Sequence, residues 1–98
     1  MTDHGTQQAS GTTIDLEAGD FFFDPTCVVI GSSGTLTVTV ANDGQALHNL
    51  SITSLGIDQD VAPGQAISVQ VSFDVTAPLP FFCKYHVASG MQGAFVPA

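Results

Sequence analysis

Cys83, His86 and Met91 stand within nine residues of one another in the stretch Cys83-Lys84-Tyr85-His86-Val87-Ala88-Ser89-Gly90-Met91. Together they offer a thiol, an imidazole and a thioether. Soft metals favour such donors, and a trigonal His₂Cys set with a weak axial Met is the arrangement of electron-transfer copper centres. The loop holds three of those four groups, so a centre of this kind needs a second histidine from elsewhere. His4 lies in a polar stretch, where a solvated, incidental role is expected. His48 opens a short β-prone run just after a turn, 35 residues before Cys83. Taken singly, His48 suits an ordinary hydrogen-bonded role, Met91 suits packing, and a Cys-x-x-His pair is a weak signal. The four together are far more specific, because donor types, loop length and fold class agree.

The elements that must position these groups are short and β-prone. Residues 1–11 are small and polar without apolar periodicity and read as a disordered tail or tether. Residues 12–18 alternate polar and apolar, the period of a half-buried strand. Gly19-Asp20 reads as a turn. Residues 21–30 form an apolar run on both parities, broken by Asp24-Pro25, so alternation does not fix where Cys27 faces. Residues 35–42 alternate most cleanly, with Leu36, Val38 and Val40 on the core side. Asn42-Asp43-Gly44 is a strong turn signal, and 47–53 gives another short strand. A loop is expected through Asp58, Asp60 and Pro63-Gly64. Ile67, Val69, Val71 and Phe73 share one face of the next strand, and Leu79, Phe81 and Cys83 share one face of the strand leading into the ligand-rich loop. Residues 93–97 close the domain. With no helical period of useful length, the pattern predicts an all-β antiparallel sandwich of about seven or eight strands over residues 12–98. In such a fold, strand ends from distant parts of the chain meet at one pole, where His48 and the 83–91 loop can converge.

Composition narrows the partners. Ninety-eight residues with 44% hydrophobic side chains fit one domain with its own core. Nine acidic residues face one basic residue, Lys84, for a formal charge of −8. That balance argues against nucleic acid, whose phosphates demand Lys and Arg, and suits a partner with a basic docking face. No apolar run reaches the roughly 18 residues of a membrane-spanning helix. Cys27 and Cys83 admit two readings: a structural disulfide, or one metal-binding thiolate beside a buried free thiol. Against the disulfide stand the absence of Trp and the coincidence of His48, His86 and Met91 that it leaves unexplained.

Cys83-x-x-His86-x-x-x-x-Met91, preceded by an isolated His48-Asn49, resembles the cupredoxin family of type 1 copper proteins, and its loop spacing is more similar to plastocyanin-like members than to azurin. The resemblance extends from residue 12 to the C-terminus and includes Phe21-Phe22-Phe23-Asp24-Pro25. It implies a Greek-key sandwich with one copper ion at a pole and reversible Cu(I)/Cu(II) electron transfer. It assigns His48, Cys83 and His86 as equatorial ligands and Met91 as the axial one, with Asn49 bracing the ligand loop. It also makes the edge of His86 the surface port for the electron, inside a patch for which Gly44, Ala46, Leu47, Val87 and Ala88 are candidates.

No histidine flanks Cys83 and no second cysteine lies in the loop, features that multicopper oxidases and dinuclear centres would need. The expectation is therefore an electron carrier rather than an enzyme. It would act as a monomer, outside the cytoplasm in a periplasmic or cell-surface setting, between redox proteins such as a c-type cytochrome or an oxidase. The alternative from another class is a copper-independent binding module with a Cys27–Cys83 disulfide.

Overall fold

The alternating Leu36, Val38 and Val40 become the inward face of the longest strand, and the rest of the sandwich is built on either side of it. The computed structural model describes residues 2–98. Ten strands follow in order: β1 (Thr6–Gln8), β2 (Thr13–Gly19), β3 (Phe22–Asp24), β4 (Cys27–Ile30), β5 (Gly34–Asn42), β6 (His48–Ile52), β7 (Ile57–Val61), β8 (Ala66–Phe73), β9 (Leu79–Phe82) and β10 (Gln92–Pro97). They form a six-stranded sheet in the order β1-β4-β10-β9-β6-β7 and a four-stranded sheet in the order β3-β2-β5-β8. Inward residues of both sheets make one core. Ile14, Leu16, Leu36, Val38, Val40 and Val71 come from the smaller sheet, and Val28, Ile30, Leu50, Ile52, Phe81 and Phe95 from the larger. Phe81 is its hub, edge-on to Phe23 at 5.1 Å between ring centroids and tilted against Phe95 at 4.9 Å. Burying each such ring is worth about 1.5–3 kcal/mol, so this cluster, directly beneath the ligand-bearing loop, gives that loop a rigid floor.

The all-β sandwich stands as expected, with details that alternation does not reveal. Both sheets are mixed rather than purely antiparallel: β1 and β10 each run parallel to β4, and β2 runs parallel to β5. The long crossovers a sandwich permits are invisible to a reading of local period. The count rises to ten because the 21–30 run splits at Asp24-Pro25 into β3 and β4, and because two polar edge strands carry no apolar alternation. Residues 57–61, expected as a loop, pair with β6 as the edge strand β7. Its Asp58 and Asp60 are poor strand formers, held because they accept bonds from a neighbouring side chain. The 1–11 stretch, expected as a disordered tail, contains β1 in register with Cys27, Val28 and Val29. A three-residue edge strand exposed on both faces leaves no apolar pattern to find. Met1, part of that expected tail, lies outside the described residues.

Candidate metal centre

The topology delivers the chemistry to one pole. β6 and β9 are antiparallel neighbours, with Ser51 opposite Phe82, so the start of β6 lies beside the end of β9. His48 is the first residue of β6, and Cys83 follows β9 directly. β9 and β10 pair antiparallel with Gln92 opposite Phe82, which makes residues 83–91 the connection between two adjacent strands. The Cys83 amide donates to the Met91 carbonyl at 3.1 Å and closes the base of that loop. Within it the His86 amide donates to the Cys83 carbonyl, and the Met91 amide to the His86 carbonyl. A 3-10 turn at Val87–Ser89 ends on Gly90, whose φ of 88° is left-handed. Glycine adopts that conformation without a Cβ penalty, and it lets the loop fold back onto β10.

The side chains converge. His48 and Cys83 are fully buried and His86 is partly exposed. One donor atom from each lies within 4.8 Å of the others. Both histidines turn Nδ1 to the same sulfur, which stands 4.0 Å from His48 and 3.5 Å from His86. Burial, followed by the neighbouring His48, holds the His86 ring below the usual histidine range, so it is neutral and free to donate a lone pair at neutral pH. Met91 is fully buried on the same loop. Two imidazoles and a thiol aimed at one point fit a soft or borderline first-row ion, for which such ligands bond at about 2.0–2.3 Å. The residues present therefore suit the metal that the donor set implies.

Around this cluster stands a ring of hydrogen bonds. Asn49 is buried, and its Nδ2 donates to Asp58 Oδ1 at 2.7 Å and Asp60 Oδ1 at 3.0 Å. Its Oδ1 accepts from the Ser51 hydroxyl and from the Lys84 amide, the residue next to Cys83. Asn49 thus ties β6, β7 and the entrance of the ligand loop together. The Lys84 ammonium, a neighbour of the thiol in sequence, reaches away from it to Asp58 at 3.0 Å on the outer surface. On the opposite side, Asp20 Oδ1 lies 2.7 Å from His48 Nε2, and Phe21 leans on the His86 ring at 4.4 Å between centroids.

Asp20 and Phe21 are the residues that sequence reasoning missed. Gly19-Asp20 reads as a plain turn 28 residues before His48, and nothing in its local pattern points to a ligand across the pole of the sandwich. Both cysteines are free thiols, so the Cys27–Cys83 disulfide is absent, and Cys27 is partly exposed rather than buried. His4 is exposed but not idle: its ring stacks on Phe22 at 3.6 Å, and its amide donates to the Thr26 hydroxyl. Leu47 and Val87, expected in an apolar patch, are exposed beside the site, as are Phe21 and Tyr85.

A two-sheet sandwich that carries a His–Cys–His group between the start of one strand and the hairpin of its neighbours defines a cupredoxin-type protein. The chain belongs to the cupredoxin-like domain family, whose model matches residues 1–96. No curated protein matches it in sequence. Among solved structures it is similar in fold to reduced auracyanin from the photosynthetic bacterium Roseiflexus castenholzii, with 19% identity, a TM-score of 0.75, and coverage of 92% of this chain and 99% of that one. The metal-binding domain of the Streptococcus pneumoniae Cu(I)-exporting P-type ATPase, solved with Cu(I), is similar at 12% identity and a TM-score of 0.77 over 97% of both chains. A mutant fern plastocyanin, solved oxidised and reduced, is similar at 16% identity and a TM-score of 0.63 over 86% of this chain and 99% of that one.

Proposed function

We propose that the protein is a mononuclear type 1 copper carrier that passes one electron at a time between other redox proteins, with His48, Cys83 and His86 as equatorial ligands and Met91 as the axial one. The observation that carries this reading is the meeting of the His48, Cys83 and His86 donor atoms within 4.8 Å. A bound copper ion would supply a Cu(I)/Cu(II) couple at that point. The chain's own part is to hold the donors still: His48 by strand pairing, Cys83 by the bond from its amide to Met91, and Met91 by burial in the core. Such anchoring limits rearrangement between oxidation states and so favours fast exchange. The similar auracyanin was solved reduced, the plastocyanin both oxidised and reduced, and the ATPase domain with Cu(I). Carrying an electron rather than delivering the ion agrees with a single, fully buried thiol, which a receiving protein cannot reach.

The partly exposed edge of His86, beside Phe21, Leu47 and Val87, is the port in this reading. A small apolar rim suits a transient contact that forms and releases quickly. The charge of −8 adds steering toward a basic partner such as a c-type cytochrome or an oxidase. In the same reading the chain is a monomeric electron carrier, not an enzyme, and works in a periplasmic or cell-surface setting. Among the described residues no helix is long and apolar enough to cross a membrane.

Adding Cu(II) to the metal-free protein should produce an intense thiolate-to-copper charge-transfer colour with a narrow parallel hyperfine splitting, and Cys83→Ser should abolish it. Colour that survives Cys83→Ser, or none in the parent, removes the proposal. Exchange with a basic cytochrome should slow as salt rises; a rate flat across ionic strength removes its docking part.

A further inference from the structure

His48 is the most deeply held member of the cluster, and the group behind it is a carboxylate. Asp20 follows the end of β2, in the opposite sheet, and reaches across the pole to the β5–β6 connection. Its Oδ2 accepts from the Gln45 amide at 2.9 Å, and its Oδ1 accepts from the Ala46 amide at 3.3 Å and faces His48 Nε2 at 2.7 Å. Two backbone amides thus donate to the Asp20 carboxyl, an arrangement that favours its anionic form. An anionic carboxylate can only accept, so in the neutral His48 ring the proton sits on Nε2, and Nδ1, the atom turned toward Cys83, carries the lone pair.

The space for this contact is made by Gly44. A Cβ built there would collide with the Asp20 carboxylate and stand 3.0 Å from His48 Nε2. The loop that holds Gly44 is set by Asn42, whose Oδ1 accepts the Gly44 amide and whose Nδ2 donates to the Ala46 and Val61 carbonyls. Two separate features, an anchored carboxylate and a glycine that leaves room for it, therefore serve one ring nitrogen.

We infer that Asp20 is a positioning residue for the metal centre, one that fixes the His48 tautomer with Nδ1 toward the metal and, through its charge, favours Cu(II) over Cu(I). The second half rests on the copper reading given above; the first half holds for the metal-free protein as well. A carboxylate behind a ligating imidazole orients the ring and raises its basicity, and loss of such a partner typically lowers metal affinity about 10–100-fold. A negative charge helps the more positive oxidation state more. The Nε2 proton stays on the ring in both states, so reduction adds one electron and moves no proton here.

The test compares the parent with Asp20→Asn, which keeps the shape and removes the charge, with Gly44→Ala, which crowds the carboxylate away from His48, and with Asp15→Asn, which removes an equal charge from the exposed face of β2. In the copper-loaded proteins, Asp20→Asn and Gly44→Ala should each weaken Cu(II) binding about tenfold or more while changing Cu(I) binding less. Each tenfold change in the ratio raises the one-electron reduction potential by about 59 mV. Asp15→Asn should leave the potential near the parent's, and a potential equal in Asp20→Asn and Asp15→Asn overturns the electronic half. In the metal-free parent, the ring nitrogens of His48, read by ¹⁵N NMR, should show a protonated Nε2 and a bare Nδ1, a preference that Asp20→Ala erodes. A neutral ring in the parent whose proton sits on Nδ1 overturns the positioning half. That spectrum needs no metal, so a chain that takes up no copper refutes the proposed function and still decides the role of Asp20.

Discussion

Asn49 shows how much one side chain can carry at this pole. It is buried, and all its polar positions are engaged: two carboxylates on Nδ2, a hydroxyl and a backbone amide on Oδ1. Replacing it with Ala would strand the Ser51 hydroxyl and the Lys84 amide without an acceptor, and would leave Asp58 and Asp60 facing each other without the donor between them. Buried polar groups left unmatched cost about 1–3 kcal/mol each. Asn49→Ala should therefore destabilise the metal-free protein by about 2–3 kcal/mol, read from urea unfolding. A loss under about 0.5 kcal/mol would mean that water replaces the amide and that the network adds nothing to stability. Donor type and loop spacing, which are local properties, singled out Cys83, His86 and Met91 and made His48 a candidate to join them, while the role of Asn49 came from the family resemblance. Asp20 stayed hidden because its partnership with His48 exists only once two sheets are packed, and a Gly-Asp pair has an ordinary life as a turn.

At the scale of elements, β10 is the strand on which the ligand loop closes. It lies between β4, to which it runs parallel, and β9, to which it runs antiparallel. Gly93 makes that packing possible. A Cβ there would meet the Thr26 carbonyl oxygen, which also accepts the Ala94 amide, and the ring of Phe81. The first obstacle is backbone and cannot rotate away, so β10 would have to shift. Gly93→Ala should cost about 1–3 kcal/mol, in the range of overpacked cores. Gly31→Ala is the matching control, since its Cβ meets nothing within 4 Å and its exposed position predicts a change within about 0.5 kcal/mol. Equal thermal midpoints for the two variants would show that β10 yields without strain. The same elements explain which strands can be read in advance. β5 and β8 each have one buried face, and period two is plain. β1 and β7 are polar edges, and β1, β4 and β10 are joined by parallel pairings between segments far apart in the chain. Local alternation encodes which way a side chain points, not which strand lies beside it.

For the molecule as a whole, the excess of acid sets up a contest that pH resolves. The formal charge of −8 means self-repulsion in the folded state, yet several carboxylates are individually stabilised by being charged. Asp58 is held below the usual carboxylate value by Lys84 and then Asn49, Asp60 by the Tyr85 hydroxyl and then Asn49, and Asp74 by the Thr76 amide. A carboxyl whose folded pKa lies below its unfolded value adds stability that is complete above the unfolded value and is lost as pH falls through the folded one. That loss belongs below the ordinary Asp value of 3.8. Glu17 runs the other way: the nearby Asp43 raises it, so its contribution is complete below the ordinary Glu value of 4.5 and is lost as pH rises through the raised value. The metal-free protein should accordingly gain slightly in stability as pH falls from 7 toward the ordinary Glu value of 4.5, while Glu17 takes its proton and net repulsion eases. It should then lose stability below about 4, as these anchored carboxylates, and Asp20 with them, are forced to protonate. Urea midpoints between about pH 7 and about pH 2.5 check the profile, and Asp60→Asn should flatten its acid limb. A midpoint that keeps rising down to about pH 3 would make net repulsion the dominant effect. It would also mean that the Asn49, Asp58 and Asp60 network organises the pole that holds His48, Cys83 and His86 without stabilising the fold.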